Sequence, residues 1–317
     1  MQNESHPHRL TVGAILMALI CAALWGGNAV AVKYSVEDIP PIACAAWRFA
    51  ISIPIIAIFA RFEGIALWPD RKAIVPILMN TAFLLVQIAT FNVGTSLTLA
   101  GRASVLINIH PFVVAPLAWW FLGERLRWFG IAGLVLAGVG VTWLFQERLP
   151  GLEDATTGDA LLVFSAILLG VGSIYQKFSL QRVRGTVLLF WQTLISVPCF
   201  LLAARLWEGP QTVPKHAAAW LGLLYQGIAV SGFCFIMWFI LLRRYPVSQV
   251  AAIGFLVPIF GVASSMMFLN ERLTDTLAWS TALVGLGIYL VTRARVAPSP
   301  SIAMGGLEPK TGITEYP

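Results

Sequence analysis

Residues Phe121–Leu126 read FLGERL, and Phe268–Leu273 read FLNERL. Five of the six letters agree, 147 positions apart. At the same offset Pro111 matches Pro258, and Gly138 and Gly140 match Gly285 and Gly287. Earlier in each copy the offset becomes 144. There Gly26 matches Gly170, Lys33 matches Lys177 and Trp47 matches Trp191. Ser52, Pro54 and Arg61 likewise match Ser196, Pro198 and Arg205. A three-residue length change between the blocks accounts for the shift. Apolar letters agree by chance in any hydrophobic chain, but matched Pro, Lys, Trp and Glu-Arg do not. The sequence therefore reads as an internal duplication.

Composition fixes the solvent of each copy. Of 317 residues 58% are hydrophobic and 11% charged, and the mean hydropathy is +0.80. A soluble domain carries about 25% charged residues, so this chain could not cover its own surface in water. Apolar runs long enough to span a bilayer fall at about 10–32, 41–60, 74–94, 99–121, 127–145, 159–178, 186–206, 218–241, 247–269 and 276–292. The first run resembles a signal peptide at Ala29-Val30-Ala31, but its length, Trp25 and Asn28 favour a membrane helix. The expected fold is an all-α membrane protein of ten transmembrane helices. Five spans per copy is an odd number, so the second copy enters from the opposite side. The expected organisation is an N-terminal tail (1–9), a first five-helix repeat (10–145), a linker (146–158), a second repeat (159–292) and a disordered tail (293–317).

Charge sets the expected orientation. With the N-terminus inside, fourteen lysines and arginines fall on the inner side and six on the outer, with Arg48 inside a span, of 21 in all. Excess positive charge marks the cytoplasmic side, so both termini are expected there, in the cytoplasmic (inner) membrane. The formal charge of +6 is thereby read as loop charge. No basic patch interleaved with aromatics suggests a nucleic-acid partner. Cys21, Cys44, Cys199 and Cys234 lie in separate apolar runs with no zinc-ligand spacing, so packing is expected and no metal. None of the five lysines follows glycine, which excludes a Walker A phosphate loop. No cofactor is expected.

The motifs as a set resemble the EamA-type permeases of the drug/metabolite transporter superfamily. They are Trp25-Gly26-Gly27-Asn28 through Lys33, Trp47-Arg48-Phe49, and the two proline-led runs ending in Glu-Arg-Leu. The resemblance spans residues 10–292 and implies two inverted five-helix EamA repeats, a central cavity and alternating access. It also implies small-metabolite transport, often export of amino acids or related solutes. The second copy carries Gln192 where the first has Arg48, and Gly172 where it has Asn28, which argues against a two-fold symmetric site.

Several residues within the spans are candidates for lining such a cavity. Pro111 and Pro258 remove a helical hydrogen bond and would free the carbonyls of Ile107 and Gly254. Matched breaks of this kind point to a central site, although a plain kink is the competing reading. His110 is the one imidazole or carboxylate expected at mid-depth, so any proton coupling is expected to depend on it. Asn80, Phe83, Gln87 and Phe91 recur at helical spacing, and Tyr225 and Gln226 sit comparably in the eighth span. Trp25, Asn28, Asn108, Tyr175, Gln176 and Trp238 complete the set. Amides that orient a solute and rings that supply contact area suit a cavity for a small polar molecule. Taken singly, each is better explained by bonding between helices; as a set they favour a cavity lining. Lys33, Arg48, Glu124, Arg125, Glu271 and Arg272 are expected to be structural or interfacial charges. The expected function is secondary transport of small polar metabolites, with a drug or other metabolite carrier as the alternative. A membrane-embedded enzyme lacks a catalytic cluster. The partners expected are a solute and the bilayer.

Overall fold

The computed structural model describes residues 11–122, 128–147, 154–210, 213–244, 254 and 256–294. Glu124, Arg125, the expected N-terminal tail (1–9) and residues 295–317 of the expected C-terminal tail lie outside the described residues, while residues 293 and 294 continue the last helix. Among the described residues every regular element is a helix. The first copy folds as α1 (Val12–Gly26), α2 (Asn28–Val36), α3 (Pro41–Phe62), α4 (Ile74–Leu97), α5 (Ala100–Ile107), α6 (His110–Leu122) and α7 (Trp128–Gln146). The second folds as α8 (Ala155–Ser179), α9 (Gly185–Trp207), α10 (Ala217–Leu224), a π-helical segment (Tyr225–Cys234), α11 (Phe235–Arg244), α12 (Leu256–Leu269) and α13 (Asp275–Ala294).

Among the described residues eight helical stretches are long and apolar enough to cross a membrane, counting the broken ones as single stretches. Leu256–Leu269 and Asp275–Val291 are shorter apolar helices. The helices are turned inside out relative to a soluble protein. On α7 Ile131, Val135, Val139 and Trp143 face outward at four-residue spacing, while Gly130, Gly133, Ala137 and Gly140 face the interior. Large apolar groups toward lipid and small ones between helices let backbones approach closely where no hydrophobic force drives association.

Among the described residues two spans are interrupted near their middles by a break in the helix. The first breaks at Gly27, between α1 and α2. The other breaks at Asn108-Ile109, one turn ahead of the proline that sequence singled out. Proline is favoured in a first helical turn, where its missing N–H is not needed, and Pro111 stands second in α6. The freed carbonyl of Ile107 receives a hydrogen bond from His110 Nδ1 at 3.3 Å, so the residue beside the proline repairs part of the break.

Helices pack across the two copies in pairs: α2 with α10, α3 with α9, α4 with α8, α5 with α12 and α7 with α13. In α7–α13 a Cβ on Gly133 would come 2.7 Å from the Gly287 carbonyl, and the reverse also holds at 2.7 Å. Gly140 faces Ser280 and Leu283, so the two helices run antiparallel. By the same reading Gly94 against Gly158 and Gln87 against Ser165 make α4 and α8 antiparallel. Gly101 against Ser265 and Gly261 against Ser104 do so for α5 and α12.

Candidate functional site

Two contacts recur in both sequence copies. A Cβ on Gly26 would lie 2.7 Å from Phe260 Cβ, and one on its counterpart Gly170 would lie 2.7 Å from Val113 Cβ. Val113 is the counterpart of Phe260 at offset 147. Asn80 Nδ2 donates to Ser179 Oγ at 2.8 Å, and Gln226 Nε2 donates to Ser35 Oγ at 2.9 Å. Ser35 and Ser179 are counterparts at offset 144, and Asn80 and Gln226 stand 146 apart. Each serine also donates to the carbonyl four residues back, Ala31 and Tyr175. Such bonds in membranes average about 0.6 kcal/mol, so they fix register more than they supply stability.

Around the two helix breaks the candidate residues make a chain of contacts. Tyr225 Oη donates to the Leu24 carbonyl at 2.7 Å and closes over Gly27. A side chain at Gly27 would meet that hydroxyl at 2.5 Å, which is why glycine stands at the break. Gly26 packs on Gly261, and Gly261 packs on Ser104. The Ser104 carbonyl accepts from Asn108 Nδ2 at 2.7 Å. The His110 carbonyl and Val113 abut Gly170, Gly172 lies against Phe83, and Phe83 leans on Tyr175 with ring centroids 6.0 Å apart. Trp25 meets Trp238 edge-on at 5.3 Å and Phe235 at 6.4 Å. Pro258 is buried in the first turn of α12, whose next turn carries Phe260 and Gly261. Both broken spans therefore meet α12 or α8 at glycine.

The candidates separate into two groups. Asn80, Gln87 and Gln226 are buried with amide donors spent on the neighbouring helix: Gln87 Nε2 donates to Ser165 Oγ at 2.9 Å and receives Ser165 Oγ on its own carbonyl. Trp25, Phe83, His110, Tyr175, Gln176, Tyr225 and Trp238 are half-buried. Asn28 is buried beside the first break with its side-chain oxygen unpartnered. A buried, unpartnered amide oxygen, half-buried rings and a histidine thus gather at the two helix breaks. Arg48 is buried at 2% exposure and donates through Nε to Ser231 Oγ at 2.6 Å, inside the π-helical segment.

A model of the EamA-like transporter family matches residues 12–146 and 156–293. The chain belongs to that family. It is thus a multi-pass membrane transporter rather than an enzyme, and the duplicated match coincides with the two sequence copies. It is 29% identical over 284 residues to a protein of Escherichia coli K12 named a probable amino-acid metabolite efflux pump. That alignment covers 87% of this chain and 93% of the relative. A Salmonella typhimurium protein of the same name is also 29% identical, over 86% of this chain and 93% of its own length. The uncharacterized transporter YoaV of Bacillus subtilis is 23% identical, over 90% and 97%. A solved crystal structure at 19% identity shares the fold, with TM-score 0.68 over 89% of this chain and 96% of that one.

Carboxylates cap three helices at one end of this EamA-like transporter. Glu271 accepts from Ala100 N at 2.7 Å and Gly101 N at 2.9 Å, capping α5. Glu208 accepts from Ile42 N at 2.7 Å and Ala43 N at 3.0 Å, capping α3. Asp38 accepts from Lys215 N and His216 N at the start of α10, and from the His216 ring at 2.5 Å. The His216 amide chiefly, with its ring, holds the Asp38 carboxyl below the usual carboxylate range. Each cap joins one copy to the other, and each carboxylate sits where the helix dipole favours a negative charge. Lys33 donates to the Ser96 carbonyl at 3.1 Å and lies within the field of Glu271. Tyr34 Oη donates to the Phe268 carbonyl at 2.6 Å.

Sequence reasoning missed an ion cluster at the same end. Arg102, one of the six charges counted on the outer side, is buried at 1% exposure in α5. Its Nη2 pairs with Asp159 Oδ2 and donates to the Leu144 carbonyl, and Nη1 pairs with Glu147 at 2.9 Å. The available signal was Asp159, the one acid at the margin of an apolar run. At the other end, a cleft of about 280 Å³ is lined by Pro76, Tyr175, Phe178, Ser179, Gln181 and Arg182.

Proposed function

We propose that the chain is a secondary carrier that moves small polar organic metabolites across the cytoplasmic membrane by alternating access. Ten spans form two inverted five-helix repeats, residues 10–145 and 159–292, with both termini cytoplasmic. The observation that carries this reading is the paired contact of Gly26 with Phe260 and Gly170 with Val113. Two copies with equivalent contacts and antiparallel counterpart helices are two versions of one body, and exchanging their shapes would exchange which end is open. The relatives named as probable amino-acid metabolite efflux pumps favour export of amino acids or their derivatives. The belt of Trp25, Asn28, Asn108, His110, Tyr175, Tyr225 and Trp238 would hold the solute. A carrier of other metabolites uses the same geometry with a different solute.

Flux in proteoliposomes tests this. Vesicles carrying the protein should release preloaded radiolabelled amino acids faster than empty vesicles, and the absence of flux over a broad solute panel would overturn the reading. His110→Ala in the same vesicles should flatten any dependence of flux on a pH gradient, since no carboxylate lies in the belt. An unchanged pH dependence would remove His110 from the coupling.

A further inference from the structure

We propose that Arg48 and Asn28 form the polar subsite for the solute. The Arg48 guanidinium takes a carboxylate and the Asn28 side-chain oxygen takes an ammonium group, so the solutes selected are zwitterionic α-amino acids. The proposal rests on the carrier reading and adds which residues recognise the solute. It gives Arg48 a role beyond the structural one expected from sequence.

Among the described residues two arginines are buried, and they differ in their surroundings. Arg102 is neutralised by Asp159 and Glu147 and also bonds the Leu144 carbonyl. Arg48 has a single hydroxyl, Ser231 Oγ, on its Nε, and its guanidinium carbon stands 5.5 Å from the centre of the Phe49 ring. Its Nη1 is buried with no partner, and it is the one such atom that carries charge. A cation held inside a membrane span is costly unless an anion meets it. The guanidinium fork fits a carboxylate through two parallel hydrogen bonds. Asn28 supplies the complementary atom. It opens α2 just past the break at Gly27, and its buried side-chain oxygen has no donor.

Gln226 places the two side by side. Its Nε2 lies 3.3 Å from the Ala31 carbonyl and 3.5 Å from Cys44 Sγ. Asn28 precedes Ala31, and Arg48 follows Cys44, by about one helical turn each. Gly222 packs on Ala31 and Ser35 while Tyr225 covers Gly27, so this stretch runs against α2. Gln226, Gly227 and Gly232 meet Cys44, Arg48 and Ile55 in turn, so it runs along α3. Both steps therefore go the same way, and donor and acceptor flank one part of the π-helical segment. Such segments are rare and frequently mark functional sites. The duplication separates this pair from the scaffold. The counterparts of Asn28 and Arg48 are Gly172 and Gln192, whereas Lys33 and the Glu-Arg-Leu runs are kept in both copies. A carrier that opens to either side in turn uses one solute site from both, so that site needs to exist once.

The test reads ligand binding by the full chain in detergent, as the concentration of ligand that raises the melting temperature. The probes are the common L-α-amino acids, their C-terminal amides, which lack the carboxylate, and their N-acetyl derivatives, which lack the ammonium group. Wild type should bind one or more amino acids and prefer each to its amide and its N-acetyl form. Arg48→Gln should weaken that binding by about tenfold or more, the scale of losing bonds to a charged group, and bring acid and amide level. Glutamine is the residue at the equivalent buried place, Gln192, and no counter-charge is left behind, so the ligand-free variant should melt no lower than wild type. Asn28→Ala deletes an oxygen without a partner and should bring the amino acid and its N-acetyl form level. A wild type that binds no amino acid, or binds acid and amide equally, would overturn the proposal, as would unchanged binding by Arg48→Gln. If Arg48→Gln does not fold or melts well below wild type, Asn28→Ala decides alone, and retained preference over the N-acetyl form overturns the proposal. Binding does not depend on flux, so a wild type that binds as expected but carries no solute would fault the transport reading and leave the subsite standing.

Discussion

Replacing Arg102 with methionine should lower the melting temperature in detergent by roughly 5–15 °C, a loss of about 3–5 kcal/mol. The reason is the state of its partners. Asp159 has a side chain only 1% exposed and Glu147 one 15% exposed, and both face this guanidinium. Removing the cation leaves a buried carboxylate with no counter-charge, which costs far more than the pair itself contributes. The cluster ties the start of α5 to the end of α7 and the start of α8, so the loss would loosen the junction between the copies. Arg102→Met with Asp159→Leu should recover much of the stability, since the apolar pair leaves no buried Asp159 charge. A single variant that melts within about 2 °C of wild type would show that the cluster is solvated rather than buried.

Gly261→Ala should cut initial flux by about tenfold and destabilise by about 1–3 kcal/mol, the cost of overpacking a tight interface. The added methyl group would overlap Ser104 Oγ and sit 3.2 Å from the Gly26 carbonyl. α12 meets both broken spans here, so displacement would reach the belt and not only the packing. Ser104→Gly removes the overlapping atoms and should restore part of the flux in the double variant. Gly138→Ala provides the contrast: a Cβ there meets nothing within 4 Å, and stability should hold or rise by up to about 1 kcal/mol. Equal effects from Gly261→Ala and Gly138→Ala would refute the close crossing.

The parts of this fold that sequence revealed are those with a local cause. Proline has no N–H wherever it stands, so the break before Pro111 was readable without knowing a neighbour. The duplication was readable because Gly26 and Gly170, or Glu124 and Glu271, repeat letters that composition does not supply. The break at Gly27 was less legible, since glycine permits an interruption without forcing one, and what fills the gap is Tyr225, about two hundred residues away. The π-helical run from Tyr225 to Cys234 has no proline to announce it, and it packs against α3 around Arg48 and Ile51. Asn80 and Gln226 were recognisable as polar groups in apolar spans, but whether an amide faces a solute or a serine depends on the opposing helix. Arg102 was misread for a similar reason: the charge count placed it on the outer side, and only folding brings Asp159 and Glu147 to it. The carboxylate caps on α3 and α5 join residues more than 160 positions apart, beyond any local pattern.

The account depends on the two copies lying upside down relative to each other, and sidedness of the two Glu-Arg pairs tests that most directly. Single cysteines replacing Arg125 and Arg272, each in a background without the native cysteines, can be labelled with an impermeant maleimide in oriented membrane vesicles. The account predicts that position 272 labels from the exterior face and position 125 from the cytoplasmic face. Labelling of both from one face would contradict it.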